Sequence, residues 1–160
     1  MASADTFSGA KNAFTYMFAY VNTVGEDIGM ERALNLDTKM CMAMGTAQGM
    51  AMKEQAGMEP SSPQVVASLT ERFLEDGLGI TSQTLEEDAQ KRLFKVGRCP
   101  LYEAAEALGM DNASIESLCR SGAIQFMDSL VKQLNPALSY QLREFRSSAE
   151  DSCIEGMFLS

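Results

Sequence analysis
Histidine is absent from the 160 residues of this chain. Imidazole therefore serves neither as metal ligand nor as general base nor as triad member, and thiols and carboxylates are left to carry most conceivable chemistry. Basic residues are scarce as well. Thirteen Lys and Arg against 22 Asp and Glu give a net charge of -9. That balance argues against nucleic acid or an anionic membrane as the main partner, because phosphate recognition needs clustered cations. Apolar runs are broken by charge well short of the roughly 20 residues that span a bilayer. No glycine-rich phosphate loop, G-x-S-x-G elbow or dinucleotide fingerprint is present. The start, Met1-Ala2-Ser3-Ala4-Asp5, has no basic stretch ahead of an apolar core, so no secretory signal is read. Four widely spaced cysteines do not make the dense framework of a secreted disulfide protein, and a reduced, cytoplasmic setting is expected.

The composition that remains, 46% hydrophobic and 22% charged, suits a folded chain with one core. Residues 1–160 are read as a single domain with a helical half, 1–77, and a mixed half, 78–160. Phe7, Ala10, Phe14, Met17, Phe18 and Val21 recur at three and four and define a helical face. Gly25 and Gly29 punctuate, and a second helix is expected from about residue 30 to 55. Gly45 and Gly49 lie four apart within it and permit a close helix contact. The segment 59–63 is a linker, with Ser62 as N-cap and Pro63 as the first residue of a third helix that Gly77 is expected to stop.

Past Gly77 the pattern changes. Segments 80–85 and 92–96 read as strands about an acidic turn at Glu86-Glu87-Asp88, and 100–108 as a short helix closed by Gly109. A longer helix follows from about residue 114 to Asn135-Pro136. Leu138, Tyr140 and Leu142 alternate as a strand, 147–151 as a turn, and 153–159 as the returning strand. The expected class is α+β: N-terminal helices packed on a small antiparallel sheet with a C-terminal β-hairpin.

Three cysteines in the second half draw the chemical reading. Cys99 precedes Pro100, which puts its thiol at a helix N-cap, where free amides and the helix dipole favour a thiolate. Lys95 and Arg98 add positive charge, and Glu103 is in reach as a base. The same position also suits a small apolar residue filling a strand-to-helix corner. Cys119 falls on its helix's apolar stripe, and Cys153 shares a strand face with Glu155, Met157 and Leu159. Taken singly, both read as core. Together, Cys99, Cys119 and Cys153 with Glu103 or Asp151 would make a tetrahedral site for zinc or another soft metal. Asp128 and Lys132 read as an i,i+4 ion pair. The methionines between residues 30 and 58 fill a core, line a soft apolar pocket or cover a homodimer contact.

Arg98-Cys99-Pro100-Leu101-Tyr102-Glu103-Ala104, then Leu108-Gly109-Met110-Asp111, Cys119, Leu134-Asn135-Pro136-Ala137-Leu138 and a cysteine in the last strand resemble the family named for L-2-amino-thiazoline-4-carboxylate hydrolase. The likeness covers roughly residues 90 to 160, with a looser one at Gly29-Met30-Glu31 and Ala33-Leu34. It implies hydrolytic opening of a cyclic C=N bond, with Cys99, Cys119 and Cys153 attacking or holding a metal. The Glu150-Asp151-Ser152-Cys153-Ile154-Glu155 segment departs from the family's glycine-aspartate pair before the cysteine and its aromatic two residues after it. Under this reading Cys99 is a nucleophile, and Glu103 or Asp151 a general base whose pKa must be raised by burial. The alternatives are a small-ligand or metal-binding sensor domain of the 4-vinyl-reductase type and a Met-rich helical homodimer.

Overall fold
A computed structural model of the protein describes residues 4–57 and 62–160. Helix α1, Ala4–Ile28, buries Phe7, Ala10, Phe18 and Val21, the face its spacing defines. Gly29 separates it from α2, Met30–Ala56, at φ 90, a left-handed conformation that only glycine adopts without strain. Ser62 caps α3, Pro63–Leu78, by accepting the Val65 amide at 3.2 Å, with Pro63 at the first turn. Replacing Ser62 by alanine is expected to cost about 1 kcal/mol, read as a lower urea midpoint. The rest of the linker, 58–61, lies outside the described residues. Helix α3 ends at Gly79 (φ 70), not at Gly77. Gly77 keeps helical geometry, whereas a Cβ on Gly79 would also meet the Phe7 backbone at 2.9 Å.

Strands β1, Ser82–Glu87, and β2, Lys91–Val96, form a hairpin. Its turn falls after Glu87, because Asp88 accepts the amides of Gln90 and Lys91 and closes the loop itself. Helix α4, Pro100–Ala107, is followed by α5, Asn112–Leu118, a five-residue π turn, Cys119–Ala123, and α6, Ile124–Leu134. Periodicity alone predicts one unbroken helix over this last stretch. The π turn has a tertiary cause: it brings Gly122 against α2, where a Cβ would lie 2.7 Å from Asp37 Oδ2. The Thr38 hydroxyl also donates to the Ser121 carbonyl there at 2.7 Å.

Strands β3, Leu138–Glu144, and β4, Cys153–Leu159, complete an antiparallel sheet of order β1-β2-β4-β3. The C-terminal strand therefore sits between β2 and β3, with Cys153 opposite Val96 and Glu155 opposite Phe94. Phe94, Val96, Leu138, Tyr140, Leu142, Cys153 and Met157 are buried and join α1 to α6 in one hydrophobic core. The class is α+β with a C-terminal hairpin, as the sequence predicts. Asp128 ties α6 to this sheet: one carboxylate oxygen pairs with Lys132 at 2.6 Å and the other accepts the Tyr140 amide at 2.9 Å.

Candidate functional site
Helices α1, α2, α3 and α6 do not close completely over the sheet. They leave a cavity of about 230 Å³, larger than the engineered pocket of about 150 Å³ that admits benzene. A substituted five- or six-membered ring fits such a volume. Its wall is aromatic and aliphatic except for three thiols (Cys41, Cys99 and Cys119), the Tyr140 hydroxyl and the Glu155 carboxyl. The methionine cluster divides. Met40 and Met44 line the cavity yet are themselves exposed, Met52 packs on the core, and Met30, Met42 and Met50 are exposed without lining it. Met58 lies outside the described residues.

Cys99 is the residue before α4, in extended conformation, and its side chain makes no capping hydrogen bond. The helix end does not yield a thiolate. Burial outweighs the opposing pull of the Tyr102 backbone amide and the Arg146 charge, and pushes the Cys99 thiol up to about 11. The expected cation Arg98 is drawn away to Glu103, at 2.6 Å, and lies over the Phe7 ring. Cys119 opens the π turn and is raised well above the ordinary thiol value, first by burial and then by the charge of Glu155 and the neighbouring thiols. Cys153 is also raised by burial, although Arg146 Nε donates to its sulfur at 3.4 Å and opposes the shift.

The charge of Glu155 acts on all three thiols, and two of them, Cys99 and Cys119, line the cavity. All three are free. Among the described residues, however, no group of three or more Cys, Asp or Glu side chains is spaced to hold a metal ion. The tetrahedral Cys99–Cys119–Cys153 centre expected from sequence is not formed, because Cys153 faces the Arg146 guanidinium and does not line the cavity.

The two carboxylates expected as bases also sit elsewhere. Burial would raise Glu103, but Arg98 and Lys11 more than offset it and hold the group below the usual glutamate value. Asp151 is exposed and is pulled down to about 2 by the Ser147 amide, then by Ser152 and the Ser147 hydroxyl. Neither lines the cavity. Glu155 does. Burial raises its pKa, while the Tyr140 hydroxyl, which donates to Oε2, and Arg146 act in the opposite direction. The signal that finds Glu155 is its period-two alignment with Cys153 and Met157: a carboxyl on the apolar side of a strand.

The fold and this cavity define a small α+β protein that encloses an apolar pocket with a thiol- and carboxyl-bearing end. The family model described as L-2-amino-thiazoline-4-carboxylic acid hydrolase matches residues 10–142, and the chain belongs to that family. The match takes in Cys99, Cys119 and Tyr140 and reaches well into the helical half. No curated protein matches the chain in sequence. Among solved structures it is similar to a trafficking protein particle complex subunit 3 from Naegleria fowleri covalently bound to palmitic acid. The TM-score is 0.64 at 11% identity, over 95% of each chain. It is also similar to the phenol-responsive sensory domain of the transcription activator PoxR with phenol, with TM-score 0.63 and 15% identity over 91% of this chain and 74% of that one. At such identities the likeness is one of fold.

Proposed function
We propose that the protein is a hydrolase that opens a small ring at a cyclic C=N bond, of the thiazoline-carboxylate type, inside the cavity. The observation that carries this reading is the placement of one thiol, Cys99, and one raised-pKa carboxyl, Glu155, at the polar end of an otherwise apolar pocket. A 2-amino-thiazoline presents an amidinium cation, and a buried carboxylate is its natural counter-charge. Glu155 takes the Cys99 proton and Sγ bonds to the C=N carbon, whose π pair moves onto the ring nitrogen protonated in the amidinium. The ring carbon–sulfur bond then breaks, the ring sulfur leaves as a thiol with the proton from Glu155, and the carbon stays on Cys99 as an isothiourea. Water then adds to that carbon, the carbon–sulfur bond to Cys99 breaks, and the thiol is regenerated as the ring stays open. One water is consumed. A thiol near 11 is almost wholly protonated at pH 7, so the step needs a base, and this reading gives that role to Glu155.

The test is turnover of 2-amino-thiazoline-4-carboxylate by purified protein and by Cys99→Ser. Wild-type turnover and a loss of about a thousandfold or more in Cys99→Ser are expected. Undiminished turnover in the variant removes Cys99 as nucleophile, and no wild-type turnover removes the hydrolase reading. A second reading, non-catalytic capture of a small apolar ring, is favoured by the aromatic and aliphatic wall. Under it, ring compounds bind wild type and Cys99→Ser equally and emerge unchanged.

A further inference from the structure
The cavity wall carries charge of one sign only. Among the described residues that form it none is lysine or arginine, and those with a titratable group are Cys41, Cys99, Cys119, Tyr140 and Glu155. Burial keeps the thiols and the phenol protonated at neutral pH. It pushes Cys41 up to about 12 and Cys99 up to about 11, and Cys119 and Tyr140 well above their ordinary values. Among the described wall residues, Glu155 is thus the one that holds a charge at pH 7. Its two oxygens differ. Oε2 accepts the Tyr140 hydroxyl. Oε1 accepts no hydrogen bond among the described residues yet keeps accessible surface, which on the inward face of β4 is surface of the cavity. Arg146 favours the ionised form of Glu155, but it is held by Cys153 and the Val96 and Gly97 carbonyls and is not part of the wall. A carboxylate with one free oxygen in an apolar enclosure is matched by a cationic N–H donor.

The family's name points to a ring that also carries a carboxylate, and for that group the wall offers no partner. A carboxylate drawn into the cavity would lose its water without meeting a cation, which is strongly unfavourable. It would also share a space of about 230 Å³ with the like charge of Glu155. The chain as a whole acts in the same sense, since a net charge of -9 attracts cations and repels anions. We infer that the cavity takes small rings with a single positive charge, cyclic amidines and their like, with Oε1 of Glu155 as the cation's partner, and disfavours rings that bear a carboxylate. The cyclic C=N in this substrate class rests on the hydrolase reading; the choice of cation over anion rests on the wall.

Benzamidine, benzamide and benzoate share one ring, differ in charge and contain no ring that water opens. Titration calorimetry at pH 7 is expected to show benzamidine bound about tenfold or more tighter than benzamide, with benzoate the weakest. Glu155→Gln is expected to bring benzamidine to the level of benzamide and to leave benzamide unchanged. Wild type at pH 4 serves if that variant fails to fold. Benzamidine and Arg146 stay charged there and the thiols and Tyr140 stay neutral, so of these groups Glu155 alone changes. The preference is expected to shrink about threefold or more. Benzamide or benzoate bound as tightly as benzamidine overturns the assignment, and so does a wild type that binds none of the three. A preference kept in full by folded Glu155→Gln, or by wild type at pH 4, overturns it as well. In turnover, 2-amino-thiazoline-4-carboxamide is expected to exceed the 4-carboxylate about tenfold or more in kcat/KM. An equal or lower value overturns the bias against the carboxylate. No turnover of either compound, with benzamidine still preferred, supports the cation site and rejects only the hydrolysis.

Discussion

Gly45→Ala is expected to lower stability by about 3 kcal/mol, the upper end of what overpacking costs. Helix propensity alone predicts the reverse, since alanine is favoured over glycine by about 1 kcal/mol in a helix interior. Packing decides the sign. A Cβ at residue 45 would stand 2.2 Å from the Phe126 carbonyl oxygen, and one at residue 49 would stand 2.5 Å from that of Leu130. Both obstacles are backbone and have no rotamer to escape into. The pairs 45 with 126 and 49 with 130 ascend together, and Gly122 meets Asp37 and Cys41 in the same series. Helices α2 and α6 therefore run in the same direction with their i,i+4 rows in contact, close enough that only hydrogen fits between them. Gly9→Ala is the matching control, because nothing lies within 4 Å of its Cβ position. It is expected to raise stability by about 0.5–1 kcal/mol. Urea unfolding of the two variants gives opposite shifts in midpoint; a stabilised Gly45→Ala would mean that α2 and α6 do not touch at this row.

That glycine pair is legible in the sequence, and so is most of the local structure. Phe7, Phe18 and Val21 mark a helical face, Ser62-Pro63 a helix start, and Leu138, Tyr140 and Leu142 a strand, because each signal depends on neighbours a few residues away. What one stretch demands of a distant one is not legible. The π turn at Cys119–Ala123 exists because Asp37 and Thr38 of α2 meet it. The order β1-β2-β4-β3 places β4 beside β2 across 57 residues of chain, from Val96 to Cys153. The candidate site follows the same division. Cys99, Cys119 and Cys153 are visible by residue type, and Cys99 and Cys119 line the cavity while Cys153 does not. Their environment is not visible: a helix N-terminus promises a thiolate at Cys99, but enclosure by the cavity wall outweighs the dipole. Glu103 and Asp151 are near the cysteines in sequence and are satisfied by Arg98, Lys11 and Ser147 instead. Glu155 is legible as a carboxyl on the apolar face of β4, whereas Arg146, in the loop between β3 and β4, is recognisable only from the contacts that bury it.

Glu155→Gln is expected to separate stability from chemistry. In the hydrolase reading Glu155 is the base, and removing a positioned base costs about 10² to 10⁴ in rate. The amide keeps the size of the side chain and still accepts from the Tyr140 hydroxyl, so the cavity retains its shape. Stability moves the other way. Burial raises the Glu155 pKa above 4.5. In the interval between 4.5 and that raised value, the folded protein binds a proton that the unfolded chain has released. The slope of unfolding free energy with pH is set by protons bound in the unfolded state minus those bound in the folded state, and here it is negative. This group's contribution is fully present below 4.5 and is lost as pH rises through the folded pKa. Ionised Glu155 therefore burdens the fold at neutral pH, and glutamine removes that burden. Thermal melts from pH 4 to 8 are expected to show a wild-type decline, with rising pH, that Glu155→Gln lacks. At pH 7 the variant melts no lower than wild type while its turnover has fallen a hundredfold or more. Asp151 gives the opposite slope, since its lowered pKa stabilises the fold above 3.8 and that contribution is lost as pH falls toward 2, so it does not contribute to the decline between pH 4 and 8. A variant that loses both turnover and melting temperature at pH 7 would make Glu155 a structural strut. A loss of rate alone identifies it as a carboxylate kept ionised at the expense of stability.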